Sequence, residues 1–265
     1  MKINKFKEYF EKLNIVPSKA SLQLVENIQK KHLETFSFNN IAVLLKQNIS
    51  LSIDDILNKI VKNNLGGYCF EHNKLMYEVL KSLGFEVRIL IAKVINNQNV
   101  DTPRTHRVTL LKFENKQYLI DVGFGSYCPQ VPICIDDKND NQKYRITKIN
   151  NIDYQLELKT FNKYFILYTL NLYNYTEADC IMGNFYSSNY KDAVFLNNFV
   201  VSLKFKNYTY SLRNYTYHKV YKDKTDITMI KDYIQIYEIL RDDFNISISK
   251  IEAQKLFNIV YKIKN

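Results

Sequence analysis

Tryptophan is absent from this 265-residue chain, and cysteine, histidine, proline and glycine are scarce, with 4, 4, 4 and 6 residues. Asparagine, lysine, isoleucine and tyrosine are abundant instead, which a genomic composition bias explains as well as any function does. No apolar run approaches the roughly 20 residues that span a membrane, and the amphipathic N-terminus lacks a signal-peptide core. We therefore expect a cytoplasmic, bacterial protein with no membrane partner.

The cysteines show no CxxC spacing, which excludes the commonest thiol metal motifs. They are Cys69, Cys128, Cys134 and Cys180, and a cytosolic chain keeps such thiols reduced. Cys128 and Cys134 lie close enough in sequence to share a metal with histidines, but no ligand cluster has zinc-site spacing. We expect no metal.

The formal net charge is +10, from 37 Lys and Arg against 27 Asp and Glu. One interpretation is a lysine-rich solvated surface, and another is a surface that attracts a phosphate-bearing substrate. The lysines are scattered and form no recognisable motif, so we expect no nucleic-acid partner. A hydrophobic content of 46% predicts a packed core.

The first third of the chain is predicted to be helical. Apolar residues recur at helical spacing over 2–13, 19–34 and 53–61, and again after Cys69 up to Gly84. Ser52 is the expected cap of the third helix. His32 closes the second helix, where we expect it to be a cap or a surface residue. These helices predict a first domain over residues 1–84.

From Phe85 the apolar period changes to that of strands. Strands are expected at 85–91, 107–113, 117–121, 144–149, 152–160 and 163–169, with a solvated loop at 136–143. They predict an antiparallel β-barrel domain over 85–190. Further strands at 199–206, 208–212 and 215–221 and a helix near 229–243 predict a C-terminal α/β part over 191–265. The fold class is therefore α+β.

One stretch, Leu65-Gly66-Gly67-Tyr68-Cys69, places a cysteine at the start of the fourth helix. Unpaired N–H groups and the helix dipole favour negative charge there, so the position favours a thiolate. The glycine pair permits a sharp turn and leaves room for a substrate. A buried structural cysteine beside a loop is the alternative interpretation.

Two later segments favour a catalytic Cys69 over a buried structural cysteine. His106 lies at the mouth of one strand of the predicted hairpin, and Asp121 ends the other strand. Side chains on neighbouring strands can meet. A cysteine nucleophile, a histidine base and a carboxylate that orients the histidine are the thiol form of the catalytic triad.

These residues together resemble the arylamine N-acetyltransferase family. The family's nucleophile motif maps onto residues 65–73, its Arg-Thr-His onto 104–106, and its Asp-Val-Gly-Phe-Gly onto 121–125. Residues 179–195 and 240–246 are similar to later segments of the family, so the resemblance covers nearly the whole chain.

The resemblance implies a cysteine-protease-like fold with a helical bundle, a barrel and a C-terminal lid. It implies acetyl transfer from acetyl-CoA to an arylamine, arylhydrazine or related amine by a ping-pong mechanism through an acyl-cysteine, with no permanently bound cofactor. It further implies a monomer or homodimer. The site residues would be catalytic Cys69, His106 and Asp121, substrate-binding Tyr68, Phe70, Phe124 and Gly125, and donor-binding Arg104 and Thr105.

Three positions depart from the family pattern. Leu65 replaces an arginine and Asn39 replaces a glutamate, two residues that pair beneath the active-site loop in the family. Losing both partners is nearly neutral where losing one is costly, so we interpret the double change as a repacked support. His72 stands where the family has leucine.

Other functions remain open on the same triad. One is another acyl transfer, such as amide synthesis on a larger acyl carrier, or hydrolysis. Another is a cysteine-peptidase-like protein or a non-catalytic binding protein of this fold, against which the intact triad argues.

Overall fold

The chain is described here by a computed structural model that covers residues 3–98, 100–135, 137, 142–161 and 163–264. Most of the loop predicted at 136–143 lies outside these residues. The fold is α+β, as the sequence predicts, with N-terminal helices, a seven-stranded antiparallel sheet that nearly closes into a barrel, and a five-stranded sheet covered by C-terminal helices.

The N-terminal part is helical, as its apolar spacing predicts. Ser21 caps the second helix, since its side chain accepts a hydrogen bond from the N–H of Leu24 at 3.2 Å. The helix predicted at 53–61 starts as α and continues as a π-helical turn over Leu57–Lys62. The α-helices are α1 Lys7–Leu13, α2 Leu22–Thr35, α3 Ile41–Leu44, α4 Ile53–Ile56 and α5 Cys69–Ser82.

The barrel sheet has the strand order β5-β4-β3-β2-β8-β7-β6, and all its strand pairs are antiparallel. Glu114 and Asn115 have φ of 49° and 61°, the left-handed conformation of a tight hairpin turn between β3 and β4. Its strands are β2 Glu86–Val94, β3 Arg104–Phe113, β4 Lys116–Ile120, β5 Ile133–Cys134, β6 Tyr144–Lys148, β7 Asp153–Thr160 and β8 Lys163–Asn171. The helix α6 Glu177–Asn189 follows.

The second sheet, β1-β9-β10-β11-β12, joins the two ends of the chain. Its strands are β1 Phe38–Asn39, β9 Val200–Lys204, β10 Tyr208–Arg213, β11 Thr216–Tyr221 and β12 Thr225–Met229. Against it pack α7 Tyr233–Asp242 and α8 Lys250–Lys264. The helix predicted near 229–243 is α7, which begins at Tyr233, four residues later than expected, because β12 occupies Thr225–Met229. The division at residues 84 and 190 stays a prediction.

The described residues contain neither a candidate membrane-spanning helix nor a candidate metal cluster. None of their helices is long and apolar enough to cross a membrane. They also contain no cluster of three His, Cys, Asp or Glu side chains that would hold a metal ion.

Candidate active site

Cys69 is the first residue of α5, as the sequence predicts. The helix starts there because Glu71 folds back and its Oε2 accepts the N–H of Tyr68 at 3.1 Å. Gly66 has φ +64°, which glycine adopts without strain. A Cβ on Gly67 would lie 2.9 Å from Glu71 Oε2. The glycine pair therefore allows the turn to approach the helix end closely.

An ion pair lies beneath this turn. Glu71 is buried, and its Oε1 accepts Lys59 Nζ at 2.6 Å. The π-helical turn carries Lys59. A buried carboxylate without a partner is costly, so this lysine stabilises the helix start that holds the nucleophile.

Positions 39 and 65, where the family has its ion pair, do meet in this protein. The buried Asn39 donates from Nδ2 to the backbone oxygen of Leu65 at 3.0 Å and accepts the N–H of Ile41 at 3.1 Å. The side chain of Leu65 is 38% exposed. A neutral hydrogen bond to the backbone thus links the two segments, and an arginine at position 65 would remain partly solvated.

His106 and Asp121 form a direct pair, as the hairpin predicts. His106 lies on β3, Asp121 directly follows β4, and His106 Nε2 is 2.7 Å from Asp121 Oδ2. Both side chains are buried. Because the Asp121 carboxylate can only accept, Nε2 carries the proton in the neutral ring and Nδ1 keeps its lone pair.

Three more donors surround the Asp121 carboxylate. Oδ1 accepts Asn73 Nδ2 at 3.0 Å and the N–H of Gly123 at 2.8 Å, while Oδ2 also accepts the hydroxyl of Tyr168 at 2.9 Å. Burial alone would raise the pKa of Asp121, but His106 and these hydrogen bonds outweigh it and lower the pKa below its ordinary value. Asp121 is therefore held as a carboxylate.

Asn73 connects the helix of Cys69 to the segments that carry His106 and Asp121. It lies one turn after Cys69 on α5, and its Nδ2 also donates to the backbone oxygen of Arg107 at 2.6 Å. Its Oδ1 accepts the N–H of Val122 at 3.0 Å. One side chain thereby sets α5, β3 and the segment after β4 relative to one another.

Burial and a neighbouring carboxylate act on the thiol of Cys69. Burial first, and the nearby Asp121 second, raise the pKa of Cys69 above its ordinary value, although the N–H groups of Phe70 and Arg107 offset part of this. Sγ donates to the backbone oxygen of Thr105 at 3.6 Å, and within the described residues no hydrogen bond joins it to His106. Burial thus acts against the thiolate that the helix start favours, and the thiolate stays a prediction.

Aromatic rings pack around His106. The ring of Phe124 meets it edge-on at 4.9 Å between centroids, and Tyr168 lies 5.0 Å away. Phe124 and Tyr168 contact each other at 5.1 Å. Phe124 is half-buried. Tyr168 was missed from the sequence, where it reads as one more aromatic residue of a barrel strand.

The other predicted substrate residues lie deeper. Tyr68 and Phe70 are buried, and a Cβ on Gly183 of α6 would lie 2.6 Å from the ring of Phe70. The hydroxyl of Tyr68 donates to the side chain of Asn184. Gly125 is buried, with φ +63°. Tyr68 and Phe70 thus fix α6 against the start of α5, and substrate contact remains a prediction for all four residues.

The predicted donor-binding residues lie at the start of β3. Arg104 donates from NH1 to the backbone oxygen of Ile91 at 3.1 Å, and its guanidinium lies 5.9 Å from the ring centroid of Tyr175. Thr105 contributes its backbone oxygen to the Cys69 thiol. Both side chains are half-buried.

Arg107, beside His106, was not singled out from the sequence. It is fully buried and donates to both carboxylate oxygens of Glu177, at 2.8 and 2.9 Å. Lys74 of α5 donates to Glu177 at 2.8 Å. Burial acts to raise the pKa of Glu177, but Arg107 and Lys74 lower it to about 2. The cluster joins β3, α5 and α6 beside the nucleophile.

His32 is neither a cap nor a surface residue, and that expectation is wrong. Its ring is buried, with Nε2 2.8 Å from Nδ1 of His72 and Nδ1 3.0 Å from the hydroxyl of Tyr9. His72 Nε2 in turn lies 3.2 Å from the backbone oxygen of Ser37. Burial lowers the pKa of both histidines, that of His72 to about 4, so both imidazole rings are neutral at neutral pH. This is how the departure at position 72 is accommodated.

Comparisons with other proteins show which sequences and structures this chain is similar to. A family model described as N-acetyltransferase matches residues 21–253. The arylamine N-acetyltransferase of Escherichia coli K12 is 31% identical over 199 residues, which are 73% of this chain and 70% of the relative.

Solved structures share the fold. The arylamine N-acetyltransferase from Salmonella typhimurium has a TM-score of 0.90 at 24% identity and covers 96% of this chain and 97% of its own. The Mycobacterium marinum arylamine N-acetyltransferase, solved in complex with CoA, has a TM-score of 0.88 at 23% identity, with 97% and 99% covered.

Proposed function

This chain belongs to the arylamine N-acetyltransferase family of acyltransferases, and from that premise we propose that it transfers an acetyl group from acetyl-CoA to the nitrogen of an arylamine, arylhydrazine or related amine. The observation that carries the proposal is the buried His106–Asp121 pair, 2.7 Å apart, in a fold that places Cys69 at the start of α5. The CoA in the M. marinum relative supports the choice of donor.

The first half-reaction acylates Cys69. Its thiol turns from Thr105 to the free Nδ1 of His106 and gives up its proton there. The thiolate attacks the thioester carbonyl, and the bond to the CoA sulfur breaks. The leaving CoA thiolate takes the proton from the imidazolium, which Asp121 stabilises through Nε2.

The second half-reaction releases the acetyl group. The amine nitrogen attacks the acyl-Cys69 carbonyl while His106 Nδ1 accepts one amine proton. The carbon–sulfur bond breaks, and the proton returns to Cys69. N–H groups near the start of α5 are positioned to stabilise the oxyanion in both halves. Phe124 lines the acceptor side of His106, and Arg104 and Thr105 are the proposed donor contacts.

The raised pKa of Cys69 gives His106 a definite task. Because burial favours the neutral thiol, attack by the sulfur needs a base, and the proposed mechanism assigns that proton transfer to His106 within the acylation step.

Intact-mass measurement tests the proposal directly. Incubation with acetyl-CoA alone should add the mass of one acetyl group to the wild-type protein and nothing to Cys69→Ser. The matched control replaces Cys128, Cys134 and Cys180 together by alanine, because none of them neighbours His106 in a triad, and it should still acylate. Acetylation that persists in Cys69→Ser would refute the assignment, and rapid acyl loss without an amine would favour hydrolysis.

A further inference from the structure

The loop that follows Asp121 is held by side chains from separate parts of the fold. Gln29 of α2 donates from Nε2 to the backbone oxygens of Pro129 and Val131 at 2.9 and 3.2 Å. Tyr144 of β6 donates its hydroxyl to the backbone oxygen of Cys128 at 3.0 Å. The helices and the barrel therefore both fix the far end of this loop.

Lys204 of β9 is the third side chain that supports this loop, and among the described residues it is the only charged one of the three. Its ammonium donates to the backbone oxygens of Ser126 and Cys128 at 2.9 and 2.6 Å, and contacts the hydroxyl of Tyr144 at 3.1 Å. The residue is 6% exposed. An ammonium has three N–H donors, and here each has an acceptor.

The charge of Lys204 has no carboxylate partner among the described residues. Every acceptor around it is a neutral oxygen. Burying an ammonium in this way costs free energy that an apolar residue would not. What the lysine provides in return is a fixed position for two loop carbonyls.

A short series of contacts leads from Lys204 to His106. Cys128, whose carbonyl Lys204 holds, also accepts the N–H of Phe124 at its Sγ, 2.8 Å away. The Phe124 ring then packs edge-on against His106. A Cβ on Gly125, between these points, would lie 3.2 Å from Ser202 Oγ, so β9 also abuts the loop directly.

We propose that Lys204 is a positioning residue for the acceptor half of the reaction, which holds the loop Gly123–Cys128 so that Phe124 lines the amine site beside His106. The inference rests on the proposed function. Acylation depends on Cys69, His106 and Asp121, none of which Lys204 touches, so the two half-reactions should respond differently to its loss.

The ammonium also titrates within an accessible range. Burial lowers the pKa of Lys204 to about 8, the nearby Cys128 opposes this, and Lys143 adds to it; the hydroxyl of Tyr144 faces the same nitrogen. A neutral amine has two N–H donors for three acceptors. The support of the loop should therefore weaken as pH rises through about 8.

The test uses three full-length variants. Lys204→Met removes all N–H donors at similar length, and Lys204→Gln keeps two of them without the charge. Lys206→Met is the matched control, because this lysine is exposed and lies two residues further along the chain. Acylation by acetyl-CoA and deacylation by aniline are each timed by rapid quench and intact mass.

For Lys204→Met we expect acylation within about threefold of the control. We expect deacylation to slow by at least about tenfold, because the variant loses all three hydrogen bonds of the ammonium and one charge-assisted bond alone is worth about that factor. Lys204→Gln should recover part of the loss. The wild-type deacylation rate should fall as pH rises through about 8, and Lys204→Met should lack that limb. Equal losses in both half-reactions, or deacylation equal to that of the control, would overturn the proposal.

Amide hydrogen exchange separates this inference from the proposed function. In Lys204→Met the amides of 124–128 should exchange faster than in Lys206→Met, whether or not acetyl-CoA is a donor. Unchanged exchange there would refute the positioning role. Failure of the wild-type protein to acylate, with faster exchange in the variant, would refute the proposed function and leave the support of the loop intact.

Discussion

Replacement of Asp121 by asparagine tests the triad most sharply, because all four neighbours of its carboxylate are donors. Asn73 and Gly123 donate to Oδ1, and His106 and Tyr168 donate to Oδ2. An amide has only one acceptor oxygen. In either orientation its NH₂ group therefore meets two donors.

The less costly orientation points the new NH₂ group at Oδ2's partners. The Tyr168 hydroxyl can rotate to accept, and His106 can move its proton from Nε2 to Nδ1. That second change places a proton on the nitrogen that must receive one from Cys69. Asparagine at 121 thus favours the inactive tautomer.

Both stability and rate should fall. A hydrogen bond to a charged group contributes about 1.5–3 kcal/mol and a neutral one about 1 kcal/mol, so replacing the two charged bonds at Oδ2 by neutral ones should cost about 1–4 kcal/mol. A positioned general base contributes about 10²–10⁴ in rate. We expect acylation of the Asp121→Asn variant to slow by roughly that factor, since the base is present but wrongly protonated.

The assay is the single-turnover acylation rate across pH, with urea unfolding to confirm that the variant is folded. Tyr168→Phe is the matched control, since it removes one hydrogen bond to Asp121 and leaves the tautomer of His106 unchanged. It should lose no more than about tenfold. A folded Asp121→Asn protein that acylates at the wild-type rate, or a Tyr168→Phe protein that is equally impaired, would refute the reasoning.

Two further predictions concern the surroundings of the triad. Gly123→Ala should abolish acylation or unfold the site, because its Cβ would lie 2.7 Å from Cα of Cys69; near-normal acylation by mass spectrometry would show that the segment can move away. His72→Leu should cost about 1–3 kcal/mol at neutral pH, since it leaves His32 without its partner. The pKa of both histidines is lowered, so their contribution to stability is complete above about pH 6.5 and falls below it, and that of His72 is lost as pH falls toward about 4. The free energy of unfolding of His72→Leu in urea should therefore change less with pH between about 6.5 and 4 than that of the wild type. An equal change with pH in both proteins would contradict the assignment.

The positions of Cys69, His106 and Asp121 in the fold were predictable because local signals determine each of them. Helical spacing after Cys69 sets the helix start, and the short hairpin turn places His106 and Asp121 on paired strands. The order of the Cys, His and Asp motifs along the chain is what indicated the family. These features depend on residues close in sequence, where pattern and propensity are informative.

Tyr168 and Lys204 could not be found in this way, because their roles depend on distant pairing. Tyr168 reaches Asp121 only through the pairing of β8 with β2, and Lys204 meets its carbonyls only when β9 lies against the loop after β4. His32 was misjudged for the same reason. Its place at a helix end suggested exposure to solvent, but its ring is hydrogen-bonded between Tyr9 and His72.

The two-residue strand β1 has a consequence for synthesis. Phe38 and Asn39 pair with Ser202 and Val201, the N–H of Asn39 donates to Gly67 at 2.6 Å, and the hydroxyl of Ser37 donates to Phe244. The turn before Cys69 thus gains its full support only after residues near the end of the chain exist. At about 5–20 residues per second, a ribosome needs roughly 10–35 s to pass from Cys69 to Phe244. During that interval the nascent chain carries Cys69 without the burial that leaves it 2% exposed in the finished fold.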